Sequence, residues 1–506
     1  MNVFLSYLSI IMIKVHEACG VYGIYDFTHR SIYSQVYWGL VAQNHRGHQS
    51  HGLLTYQEGF HTHKALGIVP RINTESIQKQ RFELPGHVGI GNVRYGTSGS
   101  LEESSLVKDI QPSLAEIRNT KVAISFNGNI VNISALRSEV SKSFSLNATS
   151  DAEILSKKLC LELETRNDLS EAVKQILIAV EGAYSVTGIT GEGELFAFRD
   201  PLGIKPLCIG FSTNKEIIAI SSESVGLDIN SLNHFEETVK LGELLRITDE
   251  GIRREQLTQQ KRRALCSFEF AYFSRPDSIL NGSTKYVYEI RHKFGKNLGK
   301  QCVQKNAIRN IDVIIPIPET ATDASYGFQE ETKLKLDFAL RKHRYVFDRA
   351  FISLPWERAK ILEKKINVLG NSIYRKNIAL LDDSIVRGDT TKSIIQRIRI
   401  AGAKKILLYV TFPKIVSPCF YGIDMATFSE LIGVDKENEE IAEIIGADSV
   451  TYQTIDDFVS AIGLNKDKLC LACLTGAYPT PLAQKLADEK KASYQKGSDE
   501  RKRIYE

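Results

Sequence analysis

The stretch Ile378-Ala-Leu-Leu-Asp-Asp-Ser-Ile-Val-Arg-Gly-Asp-Thr-Thr391 decides the fold of the C-terminal half of this 506-residue chain. Its apolar beginning predicts a buried strand that ends at two adjacent carboxylates, Asp382 and Asp383. A loop with Gly388 follows, and a helix is expected to begin at the two threonines. Carboxylates accept hydrogen bonds from sugar hydroxyls, and a helix N-terminus binds phosphate through its free N–H groups. The stretch therefore predicts a site for a phosphorylated sugar.

Strands and helices alternate on both sides of this stretch. We predict strands at Ile311–Pro316, Ile378–Leu381 and Lys405–Thr411, with a helix at Thr391–Ala401. Such alternation is typical of a parallel sheet with crossover helices, in which ligands bind at the carboxyl ends of the strands. The fold class of this half is therefore α/β.

The N-terminal half has a different pattern. From Cys19 to about Arg246, short apolar runs are broken by Gly, Asn and Asp, and two amphipathic helices are predicted at Asp151–Glu164 and Ser170–Val180. This pattern favours a sheet-rich, layered α/β domain. The polar stretch Asp249–Arg263 has no apolar period, so we interpret it as the boundary between the halves.

Composition limits the classes of protein to consider. The net charge of +4 is small for this length and gives no reason to expect nucleic acid as a partner. Eight cysteines are too few for a disulfide scaffold, and no apolar run reaches the roughly 18 residues that span a membrane. The apolar start, Met1–Ile13, lacks the basic leader and cleavage site of a secretion signal. We therefore expect a cytoplasmic protein.

A second candidate site lies in the N-terminal half. Cys19 stands at the head of the first predicted strand, and taken alone it could be a small core residue. Three other elements occur in the same half: Arg94, the pair Asn127-Gly128, and Asp151. Together they resemble the class II glutamine amidotransferase domain, whose nucleophile is an N-terminal cysteine. Arg46 matches a further motif of that domain.

That resemblance implies a role for each residue. Cys19 would attack the side-chain amide of glutamine, with its own α-amino group as the base, because such an amine titrates near pH 8. This requires the removal of residues 1–18. The resemblance assigns the remaining roles as follows: glutamine binding to Arg94, Asp151 and Arg46, and stabilisation of the oxyanion to Asn127 and the Gly128 N–H. Arg94 could instead form a surface ion pair, and Asn127-Gly128 could be only a turn.

The two halves together resemble the glutamine phosphoribosylpyrophosphate (PRPP) amidotransferases, from Glu17 to about Thr480. The stretch Ile378–Thr391 matches the PRPP loop of the purine phosphoribosyltransferases. The residues that this match expects at PRPP are Asp382, Asp383, Ser384, Arg387, Gly388, Thr390 and Thr391. Further matches are Phe198–Leu207, Ser221–Ser224, Tyr272–Ser278, Pro316–Thr320 and Tyr421–Asp424.

The resemblance also implies how the chain is divided. An extension, residues 1–18, would precede an Ntn-hydrolase-like layered glutaminase domain at residues 19–255. A type I phosphoribosyltransferase domain with a parallel sheet would follow at residues 256–485, before a charged tail at residues 486–506.

The spacing of the cysteines matters more than their number. Cys470-Leu-Ala-Cys473 could by itself be a redox pair, half of a zinc site or part of the core. With Cys266 and Cys419 it resembles the ligand set of the iron–sulfur subgroup of the family. The resemblance implies a [4Fe–4S] cluster that fastens the C-terminal region to the rest of the chain, and zinc bound by four sulfurs is the alternative.

The implied reaction has two steps. Ammonia released from glutamine would displace pyrophosphate from C1 of PRPP and form 5-phosphoribosylamine, the first committed step of purine synthesis. Mg²⁺ is expected beside Thr320, Asp382 and Asp383, because negative charge develops on the leaving pyrophosphate. The resemblance further implies a closed apolar passage for ammonia, a homotetramer and inhibition by purine nucleotides, with no membrane partner.

Several departures from the family pattern support an alternative function. Asn92 and Phe126 stand where the family usually has histidines, Asp389 replaces a threonine, and Lys342–Ile352 is one residue longer. A catalytically inactive relative that binds PRPP or purine nucleotides as a regulatory subunit would tolerate such changes. A glucosamine-phosphate synthase is disfavoured by Asp382–Thr391, and a nucleic-acid-binding regulator by the lack of a basic recognition domain in the N-terminal half.

Overall fold

The computed structural model describes residues 19–71, 73–95, 103–232, 238–259, 262–280, 283–343, 366–425 and 427–497. The predictions for residues 1–18 and for the longer stretch around Phe347 lie outside these ranges. The helices are α1 Tyr33–Ala42, α2 Thr74–Glu83, α3 Glu103–Lys108, α4 Ile133–Val140, α5 Asp151–Arg166, α6 Leu169–Ala179, α7 Val225–Asp228, α8 Val287–Gln304, α9 Thr322–Thr332, α10 Gly370–Ile373, α11 Asp389–Ile400, α12 Asn438–Ile445, α13 Ile455–Ile462, α14 Ala472–Thr475 and α15 Pro481–Gln495.

Short helical turns lie at Glu269–Phe273, Ala307–Asn310 and Lys466–Lys468. The strands are β1 Gly20–Asp26, β2 Ser50–Tyr56, β3 Phe60–Leu66, β4 Val88–Arg94, β5 Ser113–Ile117, β6 Thr120–Ile130, β7 Gly182–Thr190, β8 Leu195–Arg199, β9 Cys208–Phe211, β10 Ile217–Ser221, β11 Glu243–Thr248, β12 Gly251–Gln256, β13 Leu265–Cys266, β14 Val313–Pro316, β15 Leu340–Lys342, β16 Ile366–Val368, β17 Asn377–Asp382, β18 Lys405–Val410, β19 Ser449–Tyr452 and β20 Leu469–Cys470.

Two six-stranded antiparallel sheets form the N-terminal half, in the orders β3-β2-β4-β1-β10-β9 and β12-β11-β8-β7-β6-β5. Apolar side chains such as Val21 and Ile218 of the first sheet pack against Ala123 and Ile189 of the second. Helices α1 and α7 cover the outer face of the first sheet, and α4 to α6 cover that of the second. The predicted layered α/β domain is therefore confirmed, with four layers.

The C-terminal half contains a parallel sheet in the order β14-β17-β18-β19. Helices α8 and α9 pack on one face, and α11 and α12 pack on the other. The three strands and the helix predicted here are present, with bounds within two residues of those expected. Among the described residues, no helix has the length and apolar character needed to cross a membrane.

Regular structure is present at two predicted boundaries. The stretch Asp249–Arg263 contains strand β12, which pairs with β11 at the edge of the second sheet. Its residues are largely exposed there, so the polar composition reflects an edge strand as well as a linker. The charged tail predicted from residue 486 begins inside helix α15, which packs Ala483 and Ala487 into the core.

Helices α8 and α9 approach each other through glycines. A Cβ atom on Gly295 would lie 1.7 Å from the carbonyl oxygen of Ala324, and one on Gly327 would lie 1.9 Å from that of His292. Only residues without a side chain allow this approach, which fixes both helices against the parallel sheet.

We predict that Gly295→Ala lowers the free energy of unfolding by about 1–3 kcal/mol, because the added methyl group must push the two helices apart. Gly370→Ala in α10 is the matched control, since its Cβ would meet no atom within 4 Å. Urea unfolding measures both variants, and equal stabilities would contradict the close glycine packing.

Candidate active sites

Cys19 lies directly before β1, at the end of the first sheet. Gly20 pairs with Val93 of β4, and the half-buried Cys19 thiol donates to the carbonyl oxygen of Tyr95 over 3.4 Å. Pairing of β1 with β4 therefore brings Cys19 beside Arg94, the last residue of β4.

A buried carboxylate connects Arg94 to Asp151. Arg94 donates to Asp109 over 3.3 Å and to Gln49 over 2.7 Å. Asp109 in turn accepts hydrogen bonds from the backbone N–H groups of Thr149 and Ser150 at 2.9 Å. The segment that ends in Asp151 is thereby held next to Arg94, so a cation and an anion predicted to bind one amino acid lie in one place.

Asp151 is the first residue of α5 and is buried. It accepts a hydrogen bond from the Ile130 N–H at 2.8 Å. Burial raises the pKa of Asp151 to about 6, although the Ile130 N–H and the charge of Arg94 act in the opposite direction. An ammonium group beside this carboxylate would restore its charged form.

Asn127 and Gly128 lie within β6, toward its C-terminal end, so they are not part of a turn. The Asn127 amide lies 3.5 Å from the hydroxyl of Ser222, which also accepts from the Val21 N–H at 2.9 Å. Ser222 therefore joins the predicted oxyanion residue to the strand that follows the nucleophile. The Asn127 Oδ1 atom is buried and has no hydrogen-bond partner among the described residues.

Arg46 makes buried contacts that the sequence did not predict. Its guanidinium is fully buried and binds the carboxylates of Glu223 and Glu269, the latter at 2.7 and 3.0 Å. Its Nε–H donates to the carbonyl oxygen of Cys19 over 3.1 Å. These contacts use four of its five N–H groups, so Arg46 positions the backbone of the nucleophile, and its contact with glutamine stays a prediction.

Glu223 extends this ion network to the C-terminal half. It accepts from the backbone N–H of Arg275 at 2.9 Å, from the hydroxyl of Ser278 at 2.7 Å, and interacts with His45 at 2.8 Å. Burial raises its pKa, but the charges of His45 and Arg46 outweigh that effect and hold the pKa of Glu223 far below its usual range. Glu223 is therefore a permanent anion at the joint between the two halves.

A cavity of about 450 Å³ opens at the carboxyl ends of β14 and β17. Its wall includes His45 of the N-terminal half, Arg275 and Lys342, together with most of the stretch Asp382–Thr391. Parallel sheets bind ligands at this edge. The same Glu223 that holds Arg46 contacts both His45 and Arg275, so one buried carboxylate touches the nucleophile's support and the cavity wall.

The predicted carboxylates, hydroxyls and loop meet in this cavity. Asp382 accepts from the Thr391 hydroxyl at 3.0 Å, and Asp383 accepts from Thr320 and, at 2.6 Å, from Ser384. Gly388 has a φ of +88°, a left-handed conformation that favours glycine, and it caps the N-terminus of α11. All the residues predicted to bind PRPP line the cavity, with Thr390 among them.

Two charged residues modify this site. Arg387 lines the cavity, but its guanidinium donates to Glu430 over 2.8 Å, so it is not free for phosphate in this arrangement. Asp389 also lines the cavity, and burial raises its pKa although Arg387 and Lys392 lower it. Asp389 therefore places a carboxyl group on the wall that is predicted to bind phosphate.

The four cysteines of the predicted cluster are brought together from three segments. Strand β13 pairs in parallel with β20, so that Cys266 faces Cys470. The carbonyl oxygen of Cys473 accepts from the N–H of Ser417 at 3.1 Å, close to Cys419. All four are buried, and none forms a disulfide.

The spacing of these sulfurs distinguishes two possible metals. Zn–S bonds of about 2.3 Å place four sulfurs within about 4 Å of one another. Among the residues that the structure describes, no three of the four sulfurs lie within 4.8 Å of one another. The four sulfurs are therefore not arranged as one zinc ion would require in this structure.

A third group of ligand-type side chains lies on the surface. His29, His87 and Asp249 place their ligand atoms within 4.8 Å. The two imidazoles are stacked, with ring centroids 4.0 Å apart and planes 12° apart. Because the nitrogen lone pairs lie in the ring planes, nearly parallel rings cannot both point at one ion. We interpret this group as a hydrogen-bonded stack.

Known proteins are similar to this chain both in one domain and over nearly its full length. A model of the glutamine amidotransferase domain matches residues 100–228. The amidophosphoribosyltransferase of Methanothermobacter thermautotrophicus is 35% identical over 94% of this chain and 97% of its own length, and that of Bacillus subtilis is 34% identical over 93% and 96%. The chain belongs to the amidophosphoribosyltransferase family.

The solved structures lead to the same family. The glutamine PRPP amidotransferase of B. subtilis, complexed with ADP and GMP, superimposes with a TM-score of 0.79 at 31% identity. The match covers 92% of this chain and 98% of that protein. Membership in the family agrees with the two-domain α/β fold described above.

Three buried groups at these sites were not predicted as site residues: Asp109, Glu223 and Glu269. Glu223 lies in Ser221–Ser224, a motif that the resemblance marks without assigning it a role. Asp109 and Glu269 stand in no motif of their own, so only their contacts in the fold identify them.

We predict that Glu223→Gln lowers the free energy of unfolding by roughly 3 kcal/mol, because Arg46 loses one of its two buried counter-charges. The matched control is Glu216→Gln, which removes an exposed pair with Arg30 and should change stability by less than about 1 kcal/mol. Thermal and urea unfolding measure the stability of both variants. A Glu223→Gln variant as stable as the wild type would contradict a structural role for this network.

Proposed function

We propose that this chain converts glutamine, PRPP and water to 5-phosphoribosylamine, glutamate and pyrophosphate, the first committed step of purine nucleotide synthesis. One observation supports this most directly. Glu223 binds Arg46, which holds Cys19, and also binds Arg275 and His45, which line the cavity with the PRPP motif. Two sites with one shared buried support suit a reaction in which the product of one site is used at the other.

The glutaminase half-reaction would take place at Cys19. Its thiolate attacks the amide carbon of glutamine, the Asn127 amide and the Gly128 N–H stabilise the oxyanion, and the N-terminal amine protonates the departing ammonia. Water then hydrolyses the thioester and releases glutamate. Arg94 pairs with the glutamine carboxylate and Asp151 with its ammonium group.

The second half-reaction would take place in the cavity at β17. Asp382 and Asp383 accept hydrogen bonds from the ribose hydroxyls, and the N-terminus of α11 with Thr390 and Thr391 binds the 5′-phosphate. The lone pair of ammonia forms the new bond to C1, pyrophosphate leaves with the electrons of the broken bond, and the nitrogen then loses one proton to water to give the amine. Arg275 and Lys342 supply positive charge on the cavity wall.

Mg²⁺ and an iron–sulfur cluster belong to the same proposal. The hydroxyl of Thr320 and the carboxylates of Asp382 and Asp383 are oxygen donors that suit Mg²⁺, which would neutralise charge on the pyrophosphate. Cys266, Cys419, Cys470 and Cys473 would bind a [4Fe–4S] cluster, and the support is that these four cysteines meet from three segments in one buried cluster.

The cluster would join the two halves. Phe420, beside Cys419, accepts a hydrogen bond from the Asn129 side chain at 3.1 Å, and Gly422 packs on the backbone of Gly128. Fixing Cys419 would therefore also fix the strand that carries the oxyanion residues. We further propose a cytoplasmic homotetramer that purine nucleotides inhibit, as the nucleotides bound to the B. subtilis structure suggest.

The first test is glutamate release from glutamine by anaerobically purified protein, with and without PRPP and Mg²⁺. Mass spectrometry verifies that the sample begins at Cys19. We expect strong release that requires PRPP. Release absent in a correctly processed sample that still binds PRPP would favour the regulatory relative over the enzyme.

The raised pKa of Asp151 predicts how glutaminase activity depends on pH. Below about pH 6 the Asp151 carboxylate is protonated and cannot pair with an ammonium group. In that range kcat/KM for glutamine should fall about tenfold for each pH unit. Above about pH 6 the ionisation of Asp151 should no longer change kcat/KM. Asp151→Asn should lower kcat/KM and remove the step near pH 6. A step that persists in the variant would contradict the assignment.

A further inference from the structure

Lys205 is buried without a partner. It lies in the Phe198–Leu207 motif, its side chain has no exposed surface, and its Nζ atom makes no hydrogen bond within the described part of the chain. Burying an unpaired ammonium group is unfavourable by several kcal/mol. A group that carries negative charge is therefore expected beside it.

The nearby carboxylates are already engaged. Asp200 accepts hydrogen bonds from the backbone N–H groups of Tyr184, Leu202 and Ile204. Glu269 binds Arg46 and accepts from the Ser274 hydroxyl at 2.9 Å. Neither carboxylate neutralises Lys205 by direct contact.

Lys205 lies close in the fold to the cysteines of the proposed cluster. The carbonyl oxygen of Ile204, the residue before it, accepts from the Cys266 N–H at 3.1 Å. Ile204 also belongs to the buried cluster that contains Cys266, Cys419, Cys470 and Cys473. Lys205 therefore lies next to the residue that packs with the four cysteines.

We propose that Lys205 is the buried counter-ion of the cluster bound by Cys266, Cys419, Cys470 and Cys473. This inference rests on the proposed [4Fe–4S] group. Four thiolates around such a cluster carry a net negative charge, and the potential of the cluster depends on that charge and on nearby donors. Lys205 stabilises the more negative, reduced form and slows oxidation.

Two measurable effects follow from the loss of this charge. Lys205→Met should make the reduction potential more negative, by an amount equivalent to about tenfold or more in the reduction equilibrium constant, which is 59 mV for one electron. The visible absorbance of the cluster should also bleach faster in air. In metal-free protein the same substitution should raise the melting temperature, because it removes an unpaired buried charge.

The experiment compares wild type, Lys205→Met, Lys205→Gln and Lys205→Arg, all purified anaerobically, with Lys240→Met as an exposed control. Iron and sulfide analysis, redox titration and air bleaching are measured on each. The arginine variant should retain the wild-type potential, and the methionine and glutamine variants should shift alike. If the Lys205→Met variant does not fold, the Lys205→Gln variant provides the same comparison.

The outcomes separate this inference from the proposal on which it rests. Wild-type protein without iron, under anaerobic reconstitution, would overturn the cluster and with it the role of Lys205. A second outcome is wild-type protein with four irons, together with Lys205→Met and Lys205→Gln variants that keep the wild-type reduction potential and bleaching rate. That result would overturn the role of Lys205 as counter-ion and leave the proposed cluster standing.

Discussion

The buried pairing of Arg46 with Glu223 and Glu269 is the interaction on which both candidate sites depend. Arg46 comes from the loop after α1 and reaches the backbone of Cys19, whereas Glu269 belongs to the C-terminal side of the joint. An ion group in a dry interior is stable only if every charge and donor is satisfied. Here the requirement is met by residues from both halves, so neither half can move without leaving a charge unpaired.

This constraint explains the arrangement of several loops. The motif Tyr272–Ser278 bends so that its backbone and hydroxyls can reach Glu223, and the same bend places Arg275 in the wall of the cavity. The cysteine loop at Cys419 reaches back to β6 in a similar way. The contacts of Tyr272–Ser278 with Glu223 and of the Cys419 loop with β6 both connect the domain of the nucleophile to the C-terminal half. Such polar contacts are a physical basis for coupling between the sites.

Sequence reasoning succeeded where local chemistry determines the structure. The sequence Ile378–Thr391 predicts a strand, a loop and the start of a helix, and the structure confirms all three. The prediction was possible because the apolar run and the glycine act locally in the chain. It did not reveal the buried ion pairs of Arg46, because their carboxylates stand about 180 and 220 residues away in sequence. Strand β12 was misread because an exposed edge strand has the composition of a linker. Lys205 could not be interpreted at all until its burial was known.

The central claim is that two chemistries are joined through one shared support. The most direct test measures glutamate and pyrophosphate together, in one reaction with glutamine, PRPP and Mg²⁺ and no added ammonia. The account predicts that the two products form in equal amounts throughout the time course. Glutamate formed well in excess of pyrophosphate, or pyrophosphate formed without glutamate, would contradict coupling between the sites.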